Sequence, residues 1–155
     1  IVLSIGKKWI GKNKNTDWVV KHALRTLLKK GNSEAMRMFG FGDNKNYKIG
    51  KFRLAKNKIE VGSALSFSFS LQNTSSKILK LRIEYNIYYV KAKGKISKKI
   101  FQITENSFKP GESVLFRKKQ SFKDMTTRKH NPGKHKLGIV INGREVITKD
   151  FLVVK

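Results

Sequence analysis

The hydrophobic period changes partway along the chain, from the helical spacing of about 3.6 residues to the strand spacing of two, and this limits the fold. Before about residue 43, apolar side chains recur three and four apart. Ile1, Ile5 and Trp9 share one face; Val20, Ala23, Leu24, Leu27 and Leu28 share another. Gly11 to Asn15 forms a break, and Thr16 or Asp17 is the expected cap of the second helix. Gly31 ends that helix after a basic last turn that suits its negative pole. Ser33 is the expected cap of a third, short helix through Met36 and Phe39, stopped by the glycines of FGFGD. Three such helices bury little on their own, so they read as the last pieces of a helical-repeat array.

From about residue 50 the alternation is that of strands. Leu65, Phe67, Phe69 and Leu71 alternate with Ser66, Ser68 and Ser70. Leu79, Leu81, Ile83, Tyr85, Ile87 and Tyr89 alternate with Lys80, Arg82, Glu84 and Asn86. Further strands are expected at Lys98–Thr104, Ser113–Gln120, Lys134–Ile141 and Arg144–Val154, with Asn142–Gly143 as a hairpin turn. Roughly six to eight short strands in one run point to an antiparallel immunoglobulin-like β-sandwich. The chain has no Cys, so pattern and length carry that reading without a disulfide. The expected class is α+β by segregation: a short all-α repeat remnant over 1–42, a linker over 43–50 and the sandwich over 51–155.

Charge narrows the function. Thirty-five Lys and Arg face ten Asp and Glu, for a formal +25. Residues 1–45 hold ten basic and three acidic side chains, and residues 46–155 hold twenty-five and seven. A Lys-rich compositional bias would raise Glu as well, so it does not produce this imbalance. Self-repulsion on this scale is relieved by a polyanion, with nucleic acid first and an anionic membrane surface second. No apolar run approaches the ~18 residues of a membrane span, and no secretory signal is visible. Because the chain opens at Ile1 inside an amphipathic pattern, it reads as a piece of a longer protein, with a processed N-terminus as the alternative.

Three basic clusters stand out. Lys21, His22 and Arg25, with Lys29 and Lys30, lie on the second helix and suit phosphate contact, or equally a solvated face. Lys91, Lys93 and Lys95, with Lys98 and Lys99, surround a hairpin turn, where they can meet phosphates or blunt a sheet edge. The third runs from Arg117 to Lys136 and centres on the loop MTTRKHNPGKHK. There Thr126, Thr127, Arg128 and Lys129 offer hydroxyl and cationic donors to sugar and phosphate, against the plainer reading of a solvated loop. Trp9 and Trp18 can stack on a base, although helix packing is the commoner role. Of Tyr88 and Tyr89, one is expected to be exposed. His22, His130 and His135 lack metal-ligand spacing on a helix, and no cofactor loop or catalytic constellation is visible; no metal and no cofactor are expected.

The segment DWVVKHALRTLLKKGNSEAMRMFGF resembles the last helical repeat of bacterial alkylation-repair DNA glycosylases of the AlkC/AlkD type. YYVKAKGKISKKIF, LFRKKQSFKDMTTRKHNPGKHKL and INGREV resemble the immunoglobulin-like domain appended to some of them. The resemblance implies HEAT-like repeats that hold double-stranded DNA on a concave basic surface. It also implies hydrolysis of the N-glycosidic bond of N-alkylated purines such as 3-methyladenine, by a monomer in the bacterial cytoplasm at the nucleoid. A cationic base leaves readily, so a carboxylate and aromatic faces suffice to stabilise the sugar. Those groups are expected on repeats that this chain does not contain, so the piece alone is expected to be inactive as an enzyme. DNA contact carries over to Lys21, His22 and Arg25 and to Thr126, Thr127, Arg128 and Lys129. His130 and Asn131 stand where aromatics are expected. The competing reading is an immunoglobulin-like interaction module for an acidic protein or polysaccharide.

Overall fold

A computed structural model describes residues 8, 10, 11, 14–42, 45–124 and 129–155. The helix expected over Ile1, Ile5 and Trp9 lies outside them. The described helices are α1 (Lys14–Ala23), α2 (Arg25–Lys29) and α3 (Ser33–Met38). Two capping expectations are corrected. α1 begins at Lys14, which puts Asp17 inside the first turn, where its carboxylate accepts from the Gly11 amide at 2.6 Å. Asn32, not Ser33, caps α3; its extended backbone aims Oδ1 at the Ala35 amide, 2.9 Å away. Leu24 interrupts what reads in sequence as one helix. Val20, Leu24, Leu28, Ala35, Met36, Phe39 and Phe41 close a small apolar core.

Eight strands follow: β1 (Tyr47–Leu54), β2 (Lys58–Glu60), β3 (Ala64–Asn73), β4 (Leu79–Val90), β5 (Ile96–Phe108), β6 (Ser113–Ser121), β7 (Gly133–Ile141) and β8 (Arg144–Val154). They form a three-stranded sheet, β1-β3-β6, and a five-stranded sheet, β2-β8-β7-β4-β5. Phe67, Phe69, Leu81, Ile83, Leu137 and Phe151 fill the space between the inner faces. β1 starts at Tyr47, within the stretch expected to be linker. A bulge between Gly50 and Arg53, with Lys51 at φ 52°, shifts its alternation and hides it from a period-two reading. After Leu54 the chain bends across to the other sheet, where β2 runs parallel to β8. That pair departs from the wholly antiparallel expectation, because a strand that changes sheets meets its new neighbour in the opposite sense. Asn142 (φ 49°) and Gly143 (φ 80°) form the expected tight hairpin.

The helical and sandwich cores share no apolar residue. Their joint is polar. Arg82, Glu84 and Asn86, which alternation assigns to a solvent face, are buried under the helices. Lys80 Nζ donates to the Phe39 carbonyl. Asn142 donates to the Gly42 carbonyl at 3.0 Å and accepts from the Arg82 amide at 2.8 Å. The backbones of Gly31 and Gly143 touch so closely that a Cβ on Gly143 would lie 2.6 Å from Gly31 Cα.

Candidate nucleic-acid interface

The expected basic residues fall into two groups in space. On α1, Lys21 is committed to the protein: its Nζ lies 2.8 Å from Glu105 Oε1 and over the rings of Phe39 and Phe41. His22 is exposed and stacks on the equally exposed Trp18, with ring centroids 5.3 Å apart and planes 9° from parallel. Arg25 is exposed beside them. These residues wall a groove of about 560 Å³ whose far side is Ile100, Gln102 and Glu105 of β5.

Beneath the groove runs an ion-pair chain absent from the sequence reading. Arg82 Nε lies 3.3 Å from Glu84 Oε1, and Arg82 Nη1 lies 3.3 Å from Glu105 Oε2, which links through Glu105 to Lys21. Burial raises the Glu84 carboxyl above its ordinary range, and the Arg82 guanidinium pulls it back. Alternation correctly put these side chains on one face but held no sign of what covers that face.

The second cluster and the described foot of the third lie at one end of the sandwich, where Asn131 meets Val90. Lys91, Lys93 and Lys95 are all exposed around the β4–β5 turn. Lys93 (φ 67°) and Gly94 (φ 77°) make that turn tight, so the lysines fan outward. Thr126, Thr127 and Arg128 lie outside the described residues. Lys129 is exposed at the loop's far foot. Both feet are fixed. The His130 amide donates to Asp124 Oδ1 at 2.7 Å, and this hydrogen bond chiefly holds the Asp124 carboxyl below its ordinary range. Asn131 Nδ2 donates to the Val90 carbonyl at 3.2 Å, which ties the loop to the lysine-bearing turn. His130 and His135 are buried among Tyr89, Phe122 and Phe151. Desolvation pushes His135 below the ordinary imidazole range. Tyr89 is buried, while Tyr88 is partly exposed and donates to Glu145 at 2.6 Å. Its phenol is pushed up to about 12, first by burial and then by that carboxylate.

The α1 groove opens over Arg82 and along β5 to Ile100, and Asn131 at the loop's far foot meets Val90. Arg82 and Val90 stand eight strand steps apart on β4, about 26 Å at strand rise. Between them β5 presents the exposed Lys98 opposite Tyr88. Among the described residues, no group of three His, Asp or Glu could hold a metal, and no helix is long and apolar enough to cross a membrane.

Comparison with known proteins identifies the family and fold. Residues 48–155 match a family described as "Uncharacterised protein YhaZ, C-terminal Ig-like domain". The chain is 39% identical over 153 residues to YhaZ of Bacillus subtilis (strain 168), covering 99% of this chain and 42% of that one. It is similar to the alkylpurine DNA glycosylase AlkC of Pseudomonas fluorescens, solved bound to DNA containing an abasic site analogue. There the TM-score is 0.93 at 34% identity, over 99% of this chain and 43% of that one. A β-glucosidase of Listeria innocua matches at TM-score 0.61 and 17% identity, over 75% of this chain and 17% of that one, a likeness of fold alone. The chain therefore spans about two fifths of the length of YhaZ and AlkC. Matched over most of its length, the chain belongs to the family of YhaZ C-terminal immunoglobulin-like domains.

Proposed function

We propose that this chain is the DNA-gripping C-terminal part of an alkylpurine DNA glycosylase, and that it holds double-stranded DNA through the backbone without reading sequence. The observation that carries this reading is the likeness over 99% of the chain to a glycosylase solved on DNA. The layout of charge supports it. Lys91, Lys93, Lys95 and Lys129 converge on one end of the sandwich, and the nearby acid, Asp124, is occupied in bracing the loop. Thr126, Thr127 and Arg128 immediately precede Lys129 in sequence. His22 and Arg25 form a second foothold, on the groove over β5. Lys21 acts mainly by fixing α1 to β5 through Glu105. Excision of N-alkylated purines such as 3-methyladenine is the reaction proposed for the whole protein, in the bacterial cytoplasm.

Backbone contacts carry little sequence information. The double variant Lys93→Glu/Lys129→Glu should therefore weaken binding to duplexes of unrelated sequence by the same factor. It should also take about two units off the slope of log K against log salt. Unchanged binding, or a loss confined to one sequence, would overturn the reading. Heparin displacing the chain while duplex DNA fails to do so would favour a polysaccharide-binding module instead.

A further inference from the structure

The three-stranded sheet carries a basic surface that the end-loop grip does not use. Its strands hold six cations, Lys48, Lys51, Arg53, Arg117, Lys118 and Lys119, and no Asp or Glu. All six are exposed, and none is ion-paired among the described residues. Register sets most of them on one face. Arg53 and Arg117 flank Ser68 in a single cross-strand row, and Lys119 stands beside Ser66. Adjacent strands lie about 4.8 Å apart, so the two arginines bracket the serine at backbone distances near 10 Å. Together these residues line a shallow groove of about 510 Å³.

Two features point to an anion rather than to simple solubility. Ser66, Ser68 and Ser70 sit on the outer face of a central strand, where β-branched residues are favoured. Serine leaves that face low, and these hydroxyls have no hydrogen-bond partner among the described residues. Lysines that merely blunt a sheet edge account for Lys51 and Lys118. They do not account for arginines placed on both sides of open hydroxyls. Hydroxyl, guanidinium and ammonium donors without an acceptor match phosphate oxygens.

We propose that the outer face of the β1-β3-β6 sheet is a second phosphate-binding surface, which takes a second stretch of nucleic-acid backbone. It faces away from the helices, on the opposite side of the sandwich from the α1 groove. One short duplex therefore cannot lie on both.

The test is a titration of the full chain with a labelled duplex of about 12 base pairs, about 41 Å long, at low salt. Two duplexes per chain are expected. Arg53→Glu/Arg117→Glu should reduce this to one, with the remaining affinity within about twofold of the wild type. Lys93→Glu/Lys129→Glu should weaken the other site and spare this one, so the two readings fail separately. Arg53→Gln/Arg117→Gln, with circular dichroism as a folding control, guards against misfolding and should weaken the sheet site in the same direction. One duplex per chain in the wild type, or two retained in Arg53→Glu/Arg117→Glu, would overturn the proposal. So would a variant that loses heparin binding while keeping both duplexes, because the face would then suit an acidic polysaccharide.

Discussion

Asn73 is fully buried at the end of β3, and its side-chain amide joins three segments. Nδ2 donates to the carbonyls of Lys77, Phe108 and Lys109 at 2.8, 3.0 and 3.1 Å, and Oδ1 accepts from the Ser75 amide and hydroxyl. Asn73→Ala would orphan buried acceptors, at about 1 kcal/mol or more each. Urea denaturation should show a loss of roughly 2–4 kcal/mol with an unchanged m-value. His135 offers a pH test. Its folded pKa lies below the ordinary 6.5. The unfolded chain therefore takes up a proton that the folded chain resists, so stability is full above pH 6.5 and is lost as pH falls toward the folded value. Unfolding free energy measured from pH 7.5 down to about 5 should fall in the wild type and stay flatter in His135→Phe. Asp124 is held below the ordinary carboxyl range and contributes little here, while Glu84, raised by burial, acts in the opposite sense and equally in both proteins, so the difference between them isolates the histidine. Neither residue's role was legible in sequence: Asn73 reads as an ordinary turn residue, and burial of a histidine depends on what the chain brings around it.

The joint between α1 and β4–β5 belongs to the scale of elements. Arg82 neutralises Glu84, which is fully buried, and also reaches Glu105. Arg82→Met should cost about 3–5 kcal/mol, because it leaves a buried carboxylate unpaired. Adding Glu84→Leu should recover most of that loss, which chemical denaturation of the single and double variants would reveal. Gly143→Ala would place a methyl group 2.6 Å from Gly31 Cα at a backbone φ of +80°. The helices should then detach, and limited proteolysis should cut near residues 42–47 while the sandwich core survives. Most strands were legible because β3 keeps a strict period of two over one apolar face, and β7 and β8 join at an Asn-Gly turn; β7 itself is buried on both faces from Leu137 to Ile141. β1 was obscured by its bulge, and β2 is only three residues long. β4 kept its alternation, yet its polar face is buried, since a period of two reports which residues share a face and not what lies above it.

Across the whole molecule, two small cores meet through charge and hydrogen bonds instead of shared apolar surface. Such a joint fixes orientation more than it adds stability. It holds His22 and Arg25 in a fixed place relative to the sandwich, which the proposed grip on a duplex would need. The net charge of +25 pointed to a polyanionic partner at once. How the charge is shared out was not visible in sequence: Lys21 is paired with Glu105, Lys91, Lys93 and Lys95 gather at one turn, and Arg53 and Arg117 flank Ser68 across a sheet. The most direct check on the account is fluorescence anisotropy of the chain with duplex DNA at several salt concentrations. If the grip neutralises about six phosphates, log K should fall against log salt with a slope near −5, at ~0.9 per phosphate. A flat response to salt, or no binding at low salt, would contradict it.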